Sequence, residues 1–147
     1  MADNRSHEQD PTTYDPVLIS LPVADRVRAH DFYRDGLGLH AVGALADDGV
    51  PEPLMFVLNA MTRLMLVPTD GFGWVIGDHQ VAAVGTSECV LGIGSSTDDE
   101  VNEIVERARR AGATVAAEPA PQPWGYAASF ADPDGHIWTV TSAKLPG

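Results

Sequence analysis

A single cysteine, Cys89, is found among 147 residues. It excludes an intrachain disulfide and fits a reducing cytoplasm. Basic residues are nearly as scarce: nine Lys and Arg stand against 21 Asp and Glu, a net charge of −12. Nucleic acid and anionic membrane surfaces need basic patches, so neither is expected as a partner, whereas a cationic small molecule would be drawn in. The longest apolar runs, such as Leu54–Leu58, fall far short of the roughly 20 residues of a spanning helix. Met1 to Pro16 is polar throughout and lacks the charged-then-apolar pattern of a signal peptide, so a cytoplasmic location is expected. Also missing are a Gly-x-Ser-x-Gly elbow, a Cys–His pair and a phosphate-cradling loop. Gly92-Ile93-Gly94 reads only as two strand glycines.

What is present is an ordinary globular composition, 44% hydrophobic, enough for a core without a disulfide or metal staple. Residues 1–15 read as a disordered tail and 143–147 as a short C-terminal one. Between them, Pro16 to Val23 reads as a strand, and Asp25 as the N-cap of a helix reaching about Asp35 and ended by Gly36 and Gly38. Ala29, Phe32 and Tyr33 lie on one side of that helix. Strands are predicted at Leu39–Leu45, Leu54–Asn59 and Arg63–Pro68. After a linker, 69–87, the pattern repeats: a strand at Cys89–Ser95, a Thr97-x-x-Glu100 capping box, and an apolar stripe at Val101, Ile104, Val105 and Ala108. Gly112 closes this helix, and strands follow at Thr114–Ala117, Tyr126–Phe130 and His136–Thr141. Cys89 is expected to be buried in its strand. The order is strand, helix, three strands, twice, which predicts an α+β fold of two modules, 16–68 and 88–142, within one domain.

The last two strands flank Asp132-Pro133-Asp134-Gly135, a tight-turn sequence with Pro setting φ, Gly free for positive φ and aspartates able to bond the turn's own backbone. This hairpin, Phe32-Tyr33-x-x-Gly36-Leu37-Gly38 and Arg109-Arg110-Ala111-Gly112-Ala113, in that duplicated setting, resemble the vicinal oxygen chelate superfamily of glyoxalase I, extradiol dioxygenases, and fosfomycin and bleomycin resistance proteins. The resemblance covers about Pro16 to Ser142. It implies two tandem βαβββ modules forming a curved, incompletely closed mixed sheet around a cavity, with helices on the convex side, and a homodimer.

In metal-dependent members of that superfamily, inward-facing His or Glu residues meet at a divalent ion. The matching positions here, carried over by strand parity, are Leu18, Met65, Val90 and Thr139. Hydrocarbon, thioether and hydroxyl groups are poor ligands for such an ion, and the neighbouring residues offer only Cys89. His136, beside the turn, reads as structural. The carboxylates nearest the cavity edges are Asp70, Glu88 and Glu118. No metal and no other cofactor is therefore expected.

An apolar pocket is expected instead, lined by Leu18, Ser20, Met65, Val67, Val90, Gly92, Ile137, Thr139 and Thr141. Several of these equally suit plain sheet packing. The glycines Gly92 and Gly94 leave room, and Ser20, Thr139 and Thr141 supply orienting hydroxyls. Trp124 reads as a pocket wall, Trp74 as either a ligand or a dimer contact, and Trp138 as core. The function expected is metal-independent binding of a small molecule, cationic or aromatic, like the bleomycin-resistance-type proteins that sequester drugs or natural products. The alternatives are a glyoxalase-like lyase or dioxygenase and a non-catalytic dimeric scaffold with a vestigial pocket.

Overall fold

The structure, a computed structural model, describes residues 14–144. The tail predicted at 1–15 lies outside the described residues except for Tyr14 and Asp15, and the tail at 143–147 except for Ala143 and Lys144. The first half runs β1 (Val17–Val23), α1 (Arg26–Leu37), β2 (Ala41–Val42), β3 (Leu54–Asn59) and β4 (Thr62–Pro68). A short helix, α2 (Thr69–Val75), opens the connection, and the second half runs β5 (Val90–Gly94), α3 (Asp98–Arg110), β6 (Thr114–Gln122), β7 (Gly125–Ala131) and β8 (Ile137–Thr141).

Both halves share one topology. Strand order is β1-β4-β3-β2 in one sheet and β5-β8-β7-β6 in the other. In each sheet the first strand pairs parallel with the last, and the other pairs are antiparallel. The duplicated α+β pattern thus takes the form of two four-stranded mixed sheets, neither closed into a barrel.

The helices begin where their caps dictate. Asp25 accepts the Arg28 N–H at 3.1 Å, and Thr97 accepts the Glu100 N–H at 3.1 Å, each satisfying an otherwise free donor of a first turn. The Glu100 carboxylate returns to the N–H of Ser96 at 3.0 Å, one residue earlier than in a standard capping box. Gly112 takes φ +116 just past α3, a torsion that disfavours any residue with a Cβ.

One hydrophobic core joins the halves. Leu54, Phe56, Leu64 and Leu66 from the first sheet, and Phe130, Trp138 and Val140 from the second, cluster with Phe32, Tyr33, Val101 and Val105 from the helices. Helices α1 and α3 pack against each other.

Four local expectations require correction. Gly36 does not end α1; it is buried within it, where an added Cβ would lie 3.2 Å from the Ala111 Cβ. It is a glycine of helix–helix approach, and Gly38 at φ +69 is the terminator. The strand predicted at Leu39–Leu45 shrinks to Ala41–Val42, because Gly43 turns the chain at φ +110. Conversely, β6 runs on to Gln122 through Pro119 and Pro121. It is an edge strand with two register shifts, where missing N–H groups are tolerated. Finally, Cys89 is exposed and precedes β5 rather than lying buried in it.

Candidate ligand-binding site

The pleat divides each sheet into two faces. Leu64 and Leu66 of β4, and Trp138 and Val140 of β8, are buried against the helices. A one-residue slip of the predicted parity is thereby excluded. The residues between them face away: Ser20 pairs with Met65 and Pro22 with Val67, while Gly92 pairs with Thr139 and Gly94 with Thr141. Leu18 and Val90 share these faces and are exposed. Gly92 serves a close approach, since a Cβ there would sit 3.0 Å from the Thr139 Oγ1.

The cavity lies at the inner edges of the sheets rather than along their whole faces. It measures about 890 Å³. Ile19 to Pro22 of β1 form one wall, Leu91 of β5 and Ile137 of β8 another, and the connecting segment 79–89 with Phe72 and Ile76 closes over them. Of the eleven residues predicted to line the pocket, only Ser20 and Ile137 border it. Leu18, Met65, Val67, Val90, Gly92, Thr139 and Thr141 lie on the adjoining faces, and Trp74 and Trp124, 84% and 67% exposed, stand away from the cavity wall. Sequence reasoning missed the connecting segment, which it treated as a mere linker. The available signal was its apolar content, Val81 to Val84, followed by Gly85 at φ +96.

The turn 132–135 supplies the floor and fastens the two halves together. The Asp132 Oδ1 accepts the N–H groups of Asp134 and His136 at 2.9 and 2.8 Å. Its Oδ2 accepts the Tyr33 hydroxyl of α1, which in turn accepts the Trp138 indole N–H at 3.0 Å. Burial pushes the Asp132 carboxyl above its ordinary value despite these bonds, and burial followed by the Asp132 charge pushes the Tyr33 phenol well above its own. The Asp134 Oδ1 accepts the Ala24 N–H at 2.9 Å and the Arg28 guanidinium at 3.2 Å. His136 donates from Nε2 to the Pro22 carbonyl at 2.6 Å. The Arg107 Nε donates to the Gly36 carbonyl at 2.9 Å.

The family model described as the Glyoxalase/Bleomycin resistance protein/Dioxygenase superfamily matches residues 15–140. The chain belongs to this superfamily. Among solved structures, it is similar to a glyoxalase-related enzyme from Fulvimarina pelagi, with 24% identity, a TM-score of 0.74, and 88% of this chain and 87% of that one covered. A hypothetical protein from S. aureus matches with 24% identity and a TM-score of 0.73 over 88% and 94% of the two chains. An antibiotic binding protein from Streptomyces sp. CB03234 matches with 23% identity and a TM-score of 0.59 over 90% and 98%. These likenesses establish the fold. No curated protein matches the chain.

The metal that many members of the superfamily use does not fit the donors present. Leu18, Met65, Val90 and Thr139 face away from the core, as parity predicts, but carry no imidazole, carboxylate or thiolate. Among the described residues, no three of His, Cys, Asp and Glu converge to hold an ion. No described helix is long and apolar enough to cross a membrane.

Proposed function

We propose that this member of the superfamily binds and sequesters a small molecule, a drug or natural product, without a metal, and does so as a cytoplasmic homodimer. The observation that carries the reading is the cavity of about 890 Å³, in the range of pockets that enclose drug-sized ligands. Its strand walls are largely aliphatic with Ser20 as a polar point, and the connecting segment and the turn add polar groups that include Gln80, Thr86, Glu88 and Asp134. The Streptomyces relative described as an antibiotic binding protein supports the same direction. In this reading Leu18, Met65, Val67, Val90, Gly92, Thr139 and Thr141 extend the binding surface beyond the cavity. The second subunit covers the exposed Leu18, Val90, Trp74 and Trp124, which are costly to leave in water.

Two measurements on the purified protein test this. Elemental analysis after incubation with Ni²⁺, Zn²⁺, Mn²⁺ and Fe²⁺ is expected to find no stoichiometric ion, and a thermal-shift screen of flat aromatic natural products is expected to yield stabilising compounds. One tightly held ion per chain would overturn metal independence and favour glyoxalase-like catalysis. A screen without any stabilising compound would favour the vestigial scaffold.

A further inference from the structure

We propose that the segment 76–89 is a closing strap: it opens to admit a ligand to the cavity, then packs down on the bound molecule and holds it there. This rests on the small-molecule reading of the same cavity and adds how the ligand is retained.

The strap is fastened at its ends. It leaves α2 through the Ile76 and Gly77 N–H groups, which donate to the Phe72 and Trp74 carbonyls at 3.2 and 3.3 Å. It ends in β5, where Val90 pairs with Ile137. Between these points its hydrogen bonds close on the segment itself. The His79 N–H donates to the Ile76 carbonyl, the Thr86 N–H and hydroxyl both donate to the Ala83 carbonyl, and the Ser87 hydroxyl donates to the Cys89 carbonyl. Among the described residues, no hydrogen bond ties 78–89 to a strand or to the turn 132–135. A stretch tied so little opens locally at small free-energy cost. Connections longer than about 12 residues without helix or strand commonly serve as lids or binding loops.

Its side chains do not suit a plain connection. Val81-Ala82-Ala83-Val84 is apolar, yet Val81 is only half-buried and Val84 is 83% exposed. All four border the cavity, as do Ile19, Leu21, Leu91 and Ile137 of the strands. A ligand seated on those strand residues supplies the apolar surface that Val81 and Val84 lack, and covering them favours closure. The backbone is built to move. Gly77 at φ +64 and Gly85 at φ +96 have no atom within 4 Å of where a Cβ would stand, so torsion rather than packing calls for glycine at both, as at hinges. The middle of the strap rests on the turn, where a Cβ on Gly135 would lie 3.4 Å from the Val84 Cγ1 and 3.6 Å from the Gly85 nitrogen. That is ordinary van der Waals contact, weak enough to be left and regained.

The test uses N-phenylnaphthylamine, a neutral apolar fluorophore, with wild type and the double variant Val81→Ser, Val84→Ser. Hydrogen-exchange mass spectrometry follows the amides of 77–89 in the free and the probe-saturated protein, and stopped-flow fluorescence gives association and dissociation rates. Closure predicts exchange across 77–89 slowed about ten-fold in the complex. It also predicts probe dissociation about ten-fold faster in the double variant, with association nearly unchanged. Identical exchange with and without bound probe would overturn the strap and leave the binding cavity standing, and so would a dissociation rate that the double variant does not move. A probe that fails to bind wild type would count against the ligand-binding cavity itself, and the strap would fall with it. Should the double variant fail to fold, the exchange of wild type still decides.

Discussion

The Tyr33 hydroxyl donates to the Asp132 Oδ2 and accepts from the Trp138 indole N–H, and among the described residues it is the one hydrogen-bond partner of each of these two atoms. Tyr33→Phe keeps the ring and strands both neighbours. Leaving a buried polar group unpaired costs ~1–3 kcal/mol, so the substitution is expected to lower unfolding free energy by roughly 3 kcal/mol, read from denaturant midpoints at constant slope. A loss below about 1 kcal/mol would mean that water replaces the phenol. The same network sets a pH dependence. Burial raises the folded pKa of Asp132 above the ordinary 3.8, so in the folded state its ionised form is the disfavoured one. Its contribution to stability is therefore greatest below the unfolded value and is lost as pH rises through the raised folded value. The stability difference between wild type and Asp132→Asn is expected to shift against wild type across that window and then level off. A difference growing in favour of wild type would show that the hydrogen bonds outweigh burial. The exposed Asp35, Asp48 and Glu118, each held below its ordinary value by an arginine, act in the opposite sense in both proteins and cancel in the comparison.

Gly36 shows how an element reports on its neighbour. In sequence it looks like a helix stop; in the fold it is the gap through which α1 reaches α3, with Ala111 and Phe32 at 3.2 and 3.3 Å from where a Cβ would stand. Gly36→Val is expected to cost about 2–3 kcal/mol through overpacking and to weaken the joint between the halves. An unchanged denaturant midpoint would place that joint elsewhere. Helices α1 and α3 were legible because Asp25 and Thr97 announce their starts and the 3.6-residue stripe of Val101, Val105 and Ala108 marks one core face. Strand parity was legible for a similar reason, since alternation commits Trp138 and Val140 to one side. What stayed hidden depends on partners distant in sequence. Pro119 and Pro121 argue against a strand locally, and only the edge position of β6 makes them acceptable. The lack of a Lys, an Arg or a helix N-terminus beside Cys89 suggested a buried strand thiol, whereas the strand begins one residue later.

At the scale of the molecule, the two halves meet through their helices and through the turn 132–135 with the adjoining His136, which bond to Pro22, Ala24, Arg28 and Tyr33 of the first half. The duplicated fold was readable from the repeated strand–helix–strand order. The cavity was not, because it forms where β1 and β5 approach and where the segment 79–89 folds over them, a placement no local pattern encodes. Cys89, the chain's single thiol, stands exposed on that wall. It gives the most direct test of where the ligand sits. The rate of Cys89 alkylation by iodoacetamide should be compared with and without a saturating compound from the thermal-shift screen. Occupancy of the cavity predicts alkylation slowed several-fold in proportion to bound ligand. An unchanged rate with ligand demonstrably bound would place it elsewhere, on the open sheet faces, and would contradict the account.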